Sequence, residues 1–111
     1  MPSNVVAESE EVIELVTVQI REGQQQAFER AYEQAMAVIV RSPGCSGVVL
    51  NRCVEEPQKY VLAVTWETLE AHTQGYRGSE LSREAKSLIG VYRMGSTSPE
   101  HYRHVASIQK R

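Results

Sequence analysis

Four residues in the middle of the chain have the types and spacing to do chemistry: Trp66, His72, Tyr76 and Arg77. Trp66 closes an apolar run, LAVTW, and the other three follow within eleven residues. An indole offers a flat surface for stacking, and an imidazole can take or give a proton near neutral pH. A phenol and a guanidinium can hold developing negative charge. Together these groups fit the wall of a pocket for a small, flat molecule, with His72 as its candidate base and Trp66, Tyr76 and Arg77 as its binding residues. Each also has a plainer use. Trp66 can plug a core, His72 can sit solvated on a helix, and Tyr76, Arg77 and Ser79 can form the turn and cap between two helices.

The elements that would position these residues can be read from the periodicity. Val12 to Ile20 (VIELVTVQI) is rich in β-branched residues and ends at Arg21-Glu22-Gly23, which predicts a strand and a turn. Ala27, Phe28, Ala31, Ala35, Val38 and Ile39 then recur at helical spacing, up to the stop at Ser42-Pro43-Gly44. Residues 47–54 and 59–67 read as two strands joined by Glu55-Glu56-Pro57-Gln58, an antiparallel hairpin. Thr68 is placed to cap a short helix through Gln74, and Ser79 to cap another carrying Leu81, Ala85, Leu88 and Ile89. Residues 90–99 read as a loop, and residues 101–108 as a last strand.

This order predicts an α+β fold, the ferredoxin-like βαββαβ sandwich, with both helices on one face of an antiparallel sheet. The stretches GVVL and VLAVTW barely alternate between apolar and polar residues, so both sheet faces require cover. Two helices cover one face. A second copy packed sheet to sheet covers the other, which predicts a homodimer.

Composition limits the function classes. The 111 residues suit one domain, expected over 12–108 behind a flexible arm over 1–11. Hydrophobic residues make up 41% and charged residues 23%, with a formal charge of −2, so no basic footprint for nucleic acid is present. No apolar run is long enough to cross a membrane, and no signal-like start is seen, so a cytoplasmic protein is expected. Cys45 and Cys53 lie about 26 Å apart along one expected strand, at about 3.3 Å per residue, too far for a disulfide. No metal-binding pattern appears; His101 and His104, three apart on a strand, would point to opposite faces.

The combination of PGCSG before the second strand, a third strand ending in Trp66-Glu67, then LEAH, GYRGSE and HYRHV resembles the antibiotic biosynthesis monooxygenase (ABM) domain family. The likeness spans roughly residues 12 to 107. It implies a dimeric α+β barrel of two ferredoxin-like halves. It also implies activities ranging from cofactor-free quinone-forming monooxygenases through haem-degrading enzymes and isomerases to members with no known activity.

In the haem-degrading branch, the Asn, Trp and His positions fall near Glu14, on Gly75 and on Ala85, so no imidazole is available there and haem degradation is disfavoured. In the quinone-forming branch, Trp66 matches a pocket tryptophan, while His72 stands in place of a tyrosine and Leu62 in place of an asparagine. The resemblance therefore implies a cofactor-independent monooxygenase acting with O2 on a small aromatic or quinol-type molecule, with no metal or organic cofactor. Its alternative is a non-catalytic dimeric module of the same fold that binds a small molecule.

Overall fold

The computed structural model describes residues 10–110. The expected arm over 1–11 falls outside them except for Glu10 and Glu11, which precede the first strand. Strand β1 (Val12–Ile20) leads to helix α1 (Gln25–Ile39), then to β2 (Cys45–Arg52) and β3 (Lys59–Trp66). A π-helical turn (Ala71–Tyr76) and helix α2 (Glu80–Ile89) follow, and a 3-10 turn (Gly90–Tyr92) precedes β4 (Arg93–Ser96) and β5 (Glu100–Tyr102). The sheet is antiparallel, in the order β2-β3-β1, with β4 and β5 both paired to the free edge of β1. This is the ferredoxin-like α+β architecture that the sequence predicts.

The parity of the strand residues divides the sheet. Val12, Val18 and Ile20 of β1 and Tyr60, Leu62, Val64 and Trp66 of β3 are buried in one core with α1 and α2. On α1 the buried residues are Phe28, Ala31, Tyr32, Ala35, Val38 and Ile39, a stripe at helical period. Ala85 and Ile89 of α2 complete the layer. Both helices therefore pack on the same sheet face. The opposite parity carries Ile13, Leu15, Val61 and Ala63, each only half-buried, and Val49, which is 52% exposed.

The sequence misplaces the last strand. Residues 90–99 are not a plain loop, because Arg93–Ser96 pairs with Val18–Ile20 of β1. The strand expected over 101–108 spans only Glu100–Tyr102, paired with Ile13–Leu15. The physical reason lies in β1 itself. Tyr102 is already opposite Ile13, one residue from the start of β1 at Val12, so only Arg103 could extend the pairing along that strand. Between the two short strands, Thr97 substitutes for regular pairing. Its backbone N–H donates to the Thr17 carbonyl at 2.9 Å, and its hydroxyl accepts from the Thr17 N–H at 3.0 Å. Pro99, which has no N–H to give, sits just before β5.

Candidate functional site

The site begins with one unusual residue in β1. At the core-facing positions 12, 14, 16, 18 and 20, four residues are valine or isoleucine and one is Glu14. The residue is buried, 8% exposed. In the sheet it sits between Val64 of β3 and His101 of β5. A buried carboxylate needs partners, and Glu14 has two. The Trp66 indole N–H donates to its Oε1 at 3.0 Å, and the His72 Nε2 stands 3.4 Å from its Oε2.

His72 is held in place by the segment that follows β3. Thr68 caps that segment as expected, its hydroxyl accepting from the Ala71 N–H at 3.1 Å. The chain then winds into a wide π turn that runs to Tyr76, two residues further than the helix expected from sequence. This turn closes with the Arg77 N–H on the His72 carbonyl at 2.9 Å. Gly44 allows the segment to lie close against the β2 end of the sheet. It adopts φ +86°, and a Cβ there would lie 2.7 Å from the Ala71 Cβ. The Gly44 carbonyl also accepts the Glu67 N–H at 2.7 Å. The glycine of the PGCSG motif thus docks the residue next to His72.

Around His72 the rings form a layer. Trp66 stacks on it with centroids 5.3 Å apart and planes at 20°. Tyr76 tilts against both, 5.4 Å from Trp66 and 6.2 Å from His72. His101 comes from β5 on the other side, its Nε2 2.7 Å from the His72 Nδ1. Each His72 ring nitrogen therefore has a protein group within 3.4 Å, His101 on one and Glu14 on the other. At 2.7 Å one proton is shared between the two imidazoles, and which ring carries it follows from the tautomers.

A cavity of about 300 Å³ opens beside this layer. Val16, Ile39, Leu62 and Val64 supply apolar walls, Glu14, His72, Tyr76 and Ser82 supply polar groups, and exposed Arg77 borders it. A wider groove of about 980 Å³ lies along α1 and the outer edge of β2, where Arg52 and Glu29 pair at 2.8 Å. No buried ionisable cluster lines that groove, so the smaller cavity is the candidate site.

The electrostatics follow from burial. His72 is held down to about 4, first by desolvation and then by the neighbouring His101 and Arg77, so the ring is neutral at physiological pH. Glu14 is pushed above the usual carboxylate range by burial, while the Trp66 N–H, His101 and Arg77 pull in the other direction. Tyr76 is raised to about 12 by burial and Tyr32 higher still, so both phenols keep their protons. Among the described residues, no group of three or more His, Cys, Asp or Glu is arranged to hold a metal ion.

A model of the antibiotic biosynthesis monooxygenase family matches residues 11–88 of this sequence. The chain belongs to that family. The uncharacterised protein YczJ of Bacillus subtilis is 40% identical over 94 residues, 85% of this chain and 99% of YczJ. A crystal structure from Bordetella bronchiseptica, named for the same family, is 31% identical with a TM-score of 0.83, covering 87% of this chain and 99% of that one. SnoaB of Streptomyces nogalater, a cofactor-independent oxygenase, shares the ABM fold at TM-score 0.67 and 20% identity, over 91% of this chain and 97% of its own.

Of the residues singled out from sequence, His72, Tyr76 and Arg77 border the cavity. Trp66 does not: it is fully buried and lies one layer back, against His72. Two residues of the candidate site are not expected from sequence. From sequence, His101 is only one of two histidines whose spacing does not suit a metal, and Glu14 only the position near which the haem-degrading branch carries its Asn. The signal for Glu14 was present, as the one charged residue at the inward parity of an otherwise apolar strand. Nothing local marked His101, because its placement depends on the short β5.

Proposed function

We propose that this ABM protein is a cofactor-independent monooxygenase that works as a homodimer on a small aromatic or quinol-type molecule with O2. The observation that carries this reading is an imidazole held neutral by burial and a carboxyl group 3.4 Å from it, both buried and both lining one cavity with apolar Val16, Leu62 and Val64. O2 reacts slowly with neutral closed-shell molecules but readily with electron-rich anions, so the protein's task is to remove a proton and hold the anion. Glu14 and His72 accept the proton as a unit. It enters at the cavity-facing carboxylate, because both His72 nitrogens already have protein neighbours. Arg77 steadies the negative charge at the mouth, and the Tyr76 hydroxyl, which keeps its proton, donates to the anion. Trp66 fixes the rings of His72 and Tyr76 from behind.

The electrons balance without a protein-bound cofactor. For a doubly benzylic methylene, loss of a proton leaves a carbanion, which adds to O2 to give a peroxide. Cleavage of the O–O bond with loss of the second C–H proton yields the carbonyl and one water.

The half-exposed band of Ile13, Leu15, Val61, Ala63 and Val49 supports the homodimer, as do Val105 and Ile108, 91% and 97% exposed in the segment after β5. Two free thiols fit a reducing, cytoplasmic setting.

The alternative, a non-catalytic dimeric module that binds a small molecule, draws support from Trp66, which is packed as a core plug. Oxygen consumption by metal-free, flavin-free protein on hydroquinones, anthrones and catechols separates the two readings. The oxygenase reading expects turnover above spontaneous oxidation, lost in Glu14→Gln and His72→Ala. Absence of turnover on the whole panel from folded protein supports the module.

A further inference from the structure

A proton taken from the substrate leaves the cavity floor again before the next cycle. It leaves either on the hydroxide freed from the peroxide or to solvent, with solvent then returning one to that hydroxide. The Glu14 and His72 side chains are 10% and 4% exposed. Of the cavity lining, Val16, Leu62 and Val64 can carry no proton, and the polar Ser82, Lys86, Arg93 and Thr97 border the open space itself. The neighbouring phenols, Tyr76 and Tyr32, are both held protonated by burial, and Arg77 is a permanent cation. His101 is different. It is half-buried, it lies on the sheet-edge strand β5, and its Nε2 meets the His72 Nδ1 at 2.7 Å. It is also the cross-strand partner of Glu14.

We propose that Glu14, His72 and His101 form a proton path from the cavity floor to solvent, with His101 as its outlet. The inference rests on the reading that the substrate loses a proton in this cavity. Glu14 takes the proton and passes it to the His72 Nε2 across the 3.4 Å contact. The His72 Nδ1 gives up its own proton to the His101 Nε2, and the far nitrogen of His101 releases one to water. One proton enters and one leaves, and no electrons move. An imidazole suits both relay positions because it accepts at one nitrogen while donating at the other. His101 touches no reacting atom in this scheme, so it is a relay and positioning residue and not a catalytic one.

Two measurements test the path. The first is nitrogen-15 NMR of the imidazoles across a pH titration of the ligand-free full chain. The path expects a downfield, slowly exchanging N–H proton between His72 and His101, and the two rings titrating as one linked pair. Independent titration of the rings with no shared proton overturns the path. The second is turnover of His101→Gln, with thermal unfolding as the check that it folds. The expected result is a 10- to 100-fold lower kcat with unchanged KM, a larger solvent deuterium effect, and recovery on adding free imidazole. An unchanged rate, or a loss that imidazole does not restore, overturns the relay. If the wild type oxidises no member of the panel while the NMR linkage is present, the oxygenase reading falls and the path stands.

Discussion

The two faces of the sheet are made from the same strands, yet they have opposite characters. On β1, Glu14 points inward with Val12, Val16, Val18 and Ile20, while Ile13 and Leu15 point outward. The inner face places its charged side chain inside the protein, where the Trp66 N–H, His72 and His101 surround it. The outer face leaves its apolar side chains half in water, in a row that runs Val49, Ala63, Leu15 across three strands. Each arrangement is costly for an isolated chain. A buried acid gives up hydration, and an exposed apolar band orders water. In the oxygenase reading the inner cost serves chemistry that needs a proton acceptor away from water, and in the homodimer reading the outer one serves a partner surface.

Four expected outcomes test this contrast, in falling order of effect. Trp66→Ala removes the support of the inner face, creating a cavity and leaving Glu14 without its N–H donor. It should lower unfolding stability by about 3–5 kcal/mol in denaturant titration. A loss below about 1 kcal/mol would show that the ring layer is not a unit.

The next effect is pH dependence. His72 titrates at about 4 in the folded protein, against 6.5 unfolded, so between these values the unfolded state binds more protons. Its contribution is complete above 6.5 and is lost as the pH falls towards 4, on the order of 3 kcal/mol at most. Glu14 acts with the opposite sign. Its raised value favours the folded state at low pH, and that benefit fades as the pH rises through the folded value. Urea unfolding at pH 4 to 7 should therefore show a shallow slope in the wild type and a steeper one in Glu14→Gln. Equal slopes would show that the two groups do not oppose each other.

Glu14→Gln should also leave stability at pH 7 unchanged or raise it by about 1 kcal/mol, because no buried charge remains while the amide still accepts from Trp66. In the oxygenase reading the same change lowers turnover about 100-fold or more. An active Glu14→Gln enzyme would remove Glu14 from the proton path.

The smallest effect on the fold belongs to the outer face. Val49→Lys alters a residue that is 52% exposed, so the subunit should change by under about 0.5 kcal/mol. In the homodimer reading its sedimentation shifts from dimer to monomer. If it still sediments as a dimer, the pairing surface is elsewhere.

Much of this was legible in the residues. The β-branched run at 12–20, the helical stripe from Ala27 to Ile39 and the hairpin across Pro57 all form as their periodicity implies. Thr68 and Ser79 cap the segments they were expected to cap. His72 was legible as a candidate because an imidazole beside an aromatic strand end is a chemical signal in its own right. The last strands were not. Local composition cannot show that Tyr102 falls opposite Ile13, close to the start of β1, or that Arg93–Ser96 pairs with Val18–Ile20 at its other end. His101 was misjudged with them, since assigning its role requires knowing what lies across the strand from it.

Composition and periodicity alone determined the order of the elements as far as α2, the ferredoxin-like arrangement and the aromatic character of the region after β3. These follow from local propensity and from which residues avoid water, and both are written residue by residue. The tertiary structure alone decided that Glu14, His72 and His101 meet, because they come from β1, a π turn and β5, far apart in the chain. It also decided that Trp66 stands behind the cavity and does not face it. Strand register and the close docking at Gly44 set those contacts, and both are properties of the packed chain as a whole.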